Sequence, residues 1–317
     1  MATLISHLNT AAKTLSRHPR FFVVRAVARF EIIRTIVIQA QRLLNRAALK
    51  RFLTEIEGKK SRFFPDADPI MLAASLERDG MVSGLNLPGH ALSNLVNYAM
   101  SNPCWADRNV ALGFMPSEIE RACATLGREI LLSQYYNLQR QSDLVAELAE
   151  DPVLVKTAAL YLGARPKLVG VNMFWSYPAA SANNIARSNA AQMFHCDLDD
   201  FKFLKFFFYL TDVDEMSGPH VAVLGTHSHK LYKSFKDRFL VKRYTDQEIE
   251  STYGRDRIVT TTGPAGTGFI EDTICLHKGQ APGSRERLVL QFQFALNDHG
   301  NQHDNMDESA LTMIVPH

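Results

Sequence analysis

A mainly β fold, a double-stranded β-helix or jelly roll with flanking helices and an N-terminal helical extension, is predicted by three features of this 317-residue chain. Past Arg165-Pro166 the sequence breaks into short runs of β-type residues, and Leu168 to Trp175, Phe201 to Leu210, Val221 to Leu224, Arg257 to Thr261, Thr267 to Glu271 and Leu288 to Phe294 are expected as strands. Turn residues separate them, among them Ser217-Gly218-Pro219 and Gly263-Pro264 with Gly266. Many short strands punctuated in this way fit two packed sheets, whereas residues 1-60 carry helical spacing and a different charge.

The composition is that of a soluble globular protein, 46% hydrophobic and 21% charged, which excludes disorder of the whole. The net charge of +2 conceals an asymmetry: residues 1-50 hold nine basic side chains against Glu31 alone, a charge of +8, leaving −6 for the remainder. Cys104, Cys123, Cys196 and Cys275 have no metal-knuckle or disulfide-scaffold spacing, so a reducing compartment, the cytoplasm, is expected.

Residues 1-60 are read as a basic helical extension and 61-317 as the main domain. In the extension, Arg25 and Arg29, then Arg46 and Lys50, recur four apart, with Phe21, Val24, Ile32, Ile33 and Ile36 on other faces. Its charge-free runs, Thr35 to Gln41 among them, are far short of the ~20 residues of a membrane span. Three readings stand: a helix docked on its own domain or on a second subunit of a homo-oligomer, a peripheral membrane helix through residues 1-50, or an import presequence, since residues 1-30 contain no Asp or Glu. Nucleic-acid binding is not expected, because the basic residues alternate with aliphatic ones and no reading module is present.

Between the extension and the strands the chain reads as helices that buttress a sheet. Ser142 to Glu150 is one; Asp151-Pro152 caps and opens the next, and Gly163 stops it. Residues 297-309 are polar and expected as a loop or frayed tail of solvated side chains.

The chemistry lies in two segments. His195 and Asp197 form an H-x-D pair, which on a regular strand puts both side chains on one face. Alone it is weak evidence, since eleven histidines give about one such pair by chance. The second segment adds His277, reached through DTICL at the end of the Thr267 to Glu271 strand, and Arg287, which opens LVLQFQF. Two imidazoles and one carboxylate leave three positions open on an ion, which suits non-haem Fe(II) that must take a chelating co-substrate and O2 together.

The segments LERDG (76-80), FHCD (194-197), LTDVDEMSGP (210-219), LGTHSHK (224-230), GPAGTGF (263-269) and DTICLHKG (272-279) with Arg287 fall in the order of the phytanoyl-CoA dioxygenase family of Fe(II)/2-oxoglutarate oxygenases, which the chain resembles across roughly residues 70 to 295. The resemblance implies a cupin-like jelly-roll oxygenase domain, a metal triad of His195, Asp197 and His277, and Fe(II) with 2-oxoglutarate and O2 as co-substrates. It implies Arg287 as anchor of the far carboxylate of 2-oxoglutarate, a role for which a planar guanidinium is suited. Arg285, in the preceding loop, is the competitor, left to solvent or substrate. Lys205 shares a strand face with Phe203, Phe207 and Tyr209, and is read either as a lysine reaching the sheet edge or as a second co-substrate contact. Gln192 and Asn172 are further co-substrate candidates. The chain departs from the family at Cys196, whose thiol would lie beside iron, and at Gly279, where some relatives offer a hydroxyl.

Because a carboxylate occupies the position that is small in halogenating relatives, the expected reaction is hydroxylation of an aliphatic carbon of a small molecule, with release of succinate and CO2. The alternatives are a non-enzymatic jelly-roll binding protein held to a membrane or partner by its basic helix, and a cupin-like metalloprotein with lyase or isomerase chemistry. His227 and His229, an H-x-H pair without a matched carboxylate, are read as turn-stabilising, and His299, His303, Asp304 and Asp307 as solvated.

Overall fold

The computed structural model describes residues 19–231, 242–300 and 304–315. After the helices Pro19–Val27 and Glu31–Glu55, eleven strands are labelled here: β1 (Met81–Asn86), β2 (Cys104–Ala106), β3 (Gly113–Phe114), β4 (Leu132–Gln134), β5 (Lys167–Ser176), β6 (Phe203–Tyr209), β7 (His220–Val223), β8 (Ile258–Thr261), β9 (Thr267–Glu271), β10 (Leu276–Gly279) and β11 (Arg287–Ala295). One antiparallel sheet has the order β1-β9-β6-β11-β5-β4-β2-β3, and a smaller one has the order β10-β7-β8. The two sheets with their flanking helices form the jelly roll.

Strand β6 shows why the large sheet reads as an almost unbroken apolar run. Leu204, Phe206 and Phe208 enter the core under the helices, while Phe207 and Tyr209 face the small sheet with Phe269, Val289 and Ala222. Both faces are buried, so alternation gives way to continuous hydrophobicity. The rings of Phe207 and Phe269 stack at 4.9 Å in the inter-sheet layer.

The helices end where their caps require. Asp151 accepts from Val153 N–H, and Gly163, at φ 70°, closes the helix Pro152–Leu162. Gly80, at φ 77°, turns the helix Pro69–Asp79 into β1, and a Cβ there would stand 2.4 Å from Cys275 Sγ. No other residue satisfies both demands.

The extension packs on its own domain. Arg34 is buried and donates to Ala28 O and, at 2.7 Å, to His227 O. Arg42 bonds Glu77 and Tyr161 O, and Arg165 lies over the Phe52 ring. Ile32, Ile36, Leu43 and Leu44 remain exposed. No helix among the described residues is long and apolar enough to cross a membrane; residues 1-18 of the extension lie outside the described ones.

Two expectations need correction. His277 does not end the strand Thr267–Glu271. It lies in a new strand, β10, of the other sheet, after a turn in which Asp272 Oδ1 accepts from Ile274 N–H and Asp272 O from Cys275 N–H. The described residues of 297-309 form a loop, as expected, but not a frayed one of solvated side chains throughout. Asp304 is buried, accepting Asn137 N–H at its carbonyl and Val171 N–H at its carboxylate, and His299 lies 3.3 Å from Asp200. Asp307 caps the short turn Glu308–Ala310, and His303 falls outside the described residues.

Candidate metal centre

Backbone pairing, more than strand periodicity, builds this centre. His195 and His277 exchange both main-chain hydrogen bonds, at 2.9 and 2.8 Å, so their side chains leave the same face. Residues 196-200 are not in a regular strand, and Asp197 is held instead by its N–H donating to Thr273 O at 2.8 Å. The ligand atoms of His195, Asp197 and His277 all lie within 4.8 Å of one another. Asp197 Oδ1 is 3.7 Å from His195 Nε2, and Oδ2 is 3.8 Å from His277 Nε2. Two atoms on one ion lie at most twice the bond length apart, ~4.2 Å for bonds of ~2.1 Å, and both carboxylate–imidazole separations fall inside that span.

The protonation state also fits. His195 Nδ1 lies 2.9 Å from Met193 O, and His277 Nδ1 2.9 Å from Cys275 O. A carbonyl only accepts, so both Nδ1 atoms carry the proton and both Nε2 lone pairs face the centre. Burial, then mutual repulsion with His277, pushes the His195 pKa well down, and burial lowers that of His277. For Asp197, burial alone would raise the carboxyl, but Lys205, His277 and His195 outweigh it and hold it well below the usual range. Neutral imidazoles beside an ionised carboxylate are the forms that bind metal.

Lys205 is neither at a sheet edge nor snorkelling. It is buried, with Nζ 2.7 Å from Asp197 Oδ2 and 3.8 Å from Asp199. Burial opposes its charge, and the two carboxylates prevail and raise its pKa.

Beside the triad, Arg287 is buried at the start of β11. It donates to Gly218 O, and Nη2 lies 3.4 Å from Ser176 Oγ, while Nε is buried without a partner. No carboxylate pairs with it among the described residues, and burial lowers its pKa. A Cβ at Gly279 would stand 2.8 Å from Arg287 Nη2, so the glycine makes room for the guanidinium. Arg285 is exposed and paired with Asp214.

Asn172 lies on β5 opposite Gln291, which in turn faces Phe207, so it shares the inward face of the large sheet. It lines a small cavity of about 50 Å³ with Asp199 and Gln293. Gln192 is half-buried just before the bridge, its N–H closing on Arg187 O. Cys196 does not point its thiol into the centre: it packs against Phe194, Val223 and Leu276 on the opposite face of the small sheet. His227 is buried, with Nε2 3.1 Å from Glu77 O, whereas His229 is 83% exposed. Trp175 and Tyr177 belong to the helix-covered core.

Sequence reasoning missed two groups. His220 Nε2 lies 2.6 Å from Glu271 Oε2, both buried, and the His220 ring stacks on His277 at 5.6 Å. Burial pushes Glu271 up to about 8 and His220 down to about 3, so near neutrality the pair holds its one proton on the carboxyl. The second group is Arg108 and Arg243, both within electrostatic reach of Asp197, for which no motif gives a signal.

No family model matches this chain, and no curated protein does. Among solved structures, the epimerase SnoN in complex with Fe3+, alpha ketoglutarate and nogalamycin RO is similar at 15% identity, covering 71% of this chain and 82% of its own, with a TM-score of 0.48. HygX from Streptomyces hygroscopicus, with nickel, 2-oxoglutarate and hygromycin B bound, is similar at 11% identity, 71% and 86% coverage and a TM-score of 0.47. EctD from S. alaskensis, with 2-oxoglutarate and 5-hydroxyectoine, is similar at 18% identity, 74% and 78% coverage and a TM-score of 0.46.

Proposed function

We propose that this chain is an Fe(II)- and 2-oxoglutarate-dependent dioxygenase of the phytanoyl-CoA dioxygenase type, hydroxylating an aliphatic carbon of a small molecule with release of succinate and CO2. One observation carries the reading: a buried guanidinium without an anionic partner, Arg287, opens the strand next to a two-histidine, one-carboxylate cluster. A buried unpaired charge is costly, and a dicarboxylate reaching from the open positions of an ion to Arg287 would neutralise it.

His195, Asp197 and His277 would hold the iron. When bound, it would supply the oxidising chemistry that no side chain can. The chain's own part is positioning. Met193 O and Cys275 O fix the tautomers of the two histidines, and Lys205 keeps the Asp197 carboxylate ionised and oriented. Arg287 would fork the far carboxylate of 2-oxoglutarate, with Gly279 leaving it space, and Gln192 and Asn172 are further co-substrate candidates. Phe207, Phe269 and Val289 form a dry wall between the sheets, which keeps such an ion pair strong.

The test is Fe(II)-dependent conversion of 2-oxoglutarate to succinate by the purified full chain, including slow turnover without substrate. His195→Ala abolishes it on this reading; a protein that binds neither Fe(II) nor the keto acid ends the proposal.

A further inference from the structure

One strand further out from the metal cluster, the same cross-strand geometry presents an arginine. The isolated antiparallel bridge between Phe194 and Tyr244 makes Arg243 the residue opposite His195. Directly opposite residues in an antiparallel pair project to the same side. Arg243 therefore continues the row His195, His277, Ala222 that faces the inter-sheet layer. Its Nη1 is buried without a hydrogen-bond partner, and it lies within electrostatic reach of Asp197 and Arg108.

Arg108 approaches from the far end of the large sheet. It is exposed to solvent, yet burial is the first cause of its lowered pKa, with Asp197 the charge that opposes the shift. Its backbone is strained: Asp107 and Arg108 are consecutive non-glycine residues at φ 53° and 59°. Asp107 N–H donates to Leu132 O, and Asp107 is paired with Arg128, so the turn is held from two sides. The close charge partners of Asp197 are Lys205, His195 and His277, and it is also among the charges that act on both arginines.

We infer that Arg243 and Arg108 form a receptor for an oxyanion on the substrate, a phosphate or a carboxylate, next to the metal centre and separate from the Arg287 pocket. Two guanidinium groups within electrostatic reach of one another repel until an anion lies between them, and their planar forks match its oxygens. The inference deepens the proposed function and rests on it for the word substrate; the anion site itself needs neither iron nor keto acid.

Calorimetric titration of the full-length protein with inorganic phosphate, and separately with acetate, tests it in two preparations: metal-free, and loaded with Ni(II) and 2-oxoglutarate. One saturable site per chain is expected in both. Arg243→Gln and Arg108→Gln each weaken it by about tenfold or more, Arg243→Lys recovers part of the loss, and 2-oxoglutarate affinity of the Ni(II) form changes by less than about twofold. Tighter binding of phosphate assigns a phosphorylated substrate, and tighter binding of acetate a carboxylated one. The inference is overturned if neither anion saturates the metal-free chain, if the glutamine and lysine variants both bind as the parent does, or if 2-oxoglutarate affinity falls as far as anion affinity. Failure to form succinate, with anion binding intact, counts against the oxygenase reading alone.

Discussion

Lys205 Nζ lies 2.7 Å from Asp197 Oδ2, the same oxygen that faces His277 Nε2 at 3.8 Å. The lysine keeps the carboxylate ionised in a buried setting where desolvation would otherwise favour the acid. Lys205→Met removes that support, so protons compete for the Asp197 carboxylate at higher pH. The acid-side midpoint of Co(II) or Fe(II) binding is expected to rise by about one pH unit. Metal titrations between pH 4 and 7 read this directly, and an unshifted midpoint would show that Lys205 does not govern the ligand.

Arg287 separates co-substrate affinity from stability. Replacing it with Gln removes a bidentate charge pair to the keto acid and should raise the 2-oxoglutarate requirement by about 30-fold or more, equivalent to ~2 kcal/mol. The same change removes a buried charge that has no anionic partner among the described residues, so the ligand-free protein should not melt lower. Gly279→Ala, whose Cβ would crowd Nη2, should raise the requirement in the same direction by displacing the guanidinium. Steady-state kinetics in 2-oxoglutarate, paired with thermal melts, distinguish this from general damage.

The buried pair His220–Glu271 gives the metal-free chain a defined pH profile. Glu271 rises from 4.5 to about 8, so between those values the folded state keeps a proton that the unfolded chain releases, and stability falls as pH rises. His220 falls from 6.5 to about 3, so there the unfolded chain binds the extra proton, and stability falls as pH drops. From 4.5 to 6.5 the two slopes cancel, and from 6.5 to 8 only the glutamate slope remains, at most ~1.4 kcal/mol per pH unit. Glu271→Gln should therefore gain stability relative to the parent between pH 6.5 and 8. Urea midpoints at pH 5.5 and 8 measure it; a constant difference between the two proteins would contradict the assignment.

Four of the large-sheet strands, β5, β6, β9 and β11, and the helix caps were legible because their signals are local, whereas β2, β3 and β4, of two or three residues each, lie in a stretch read as helices. Apolar runs, Asp151-Pro152 and Gly163 each act within a few residues, and the observed boundaries of β5, β6, β9 and β11 lie within two residues of those expected. The conjunction of His195, Asp197 and His277 was suggested by the H-x-D pair together with the family resemblance, but the reason given for the pair was the wrong one: a two-residue strand repeat does not hold over 196-200, and long-range pairing with His277 and Thr273 takes its place. Arg243 could not be found from the sequence, since its place depends on pairing residue 194 with residue 244. Asp304 looked solvated because polarity in a tail is the usual sign of exposure; its hydrogen bonds come from Asn137 and Val171, more than a hundred positions away.

The N-terminal helix is bound to the domain through one side chain whose loss should be felt. Arg34 spans from Ala28 O to His227 O, and His227 in turn lies against Glu77 O and, at 3.7 Å, Cys275 Sγ. The helix thus secures the turn packed behind the strand that carries His277. Arg34→Met keeps most of the side-chain volume and deletes two charge-assisted hydrogen bonds, leaving a buried carbonyl unpaired. The cost should be about 2–4 kcal/mol in chemical denaturation. A helix serving only to reach an outside membrane or partner would leave the unfolding midpoint of this variant where it was. The loss of stability is therefore expected in the isolated full-length chain, with neither lipid nor partner present.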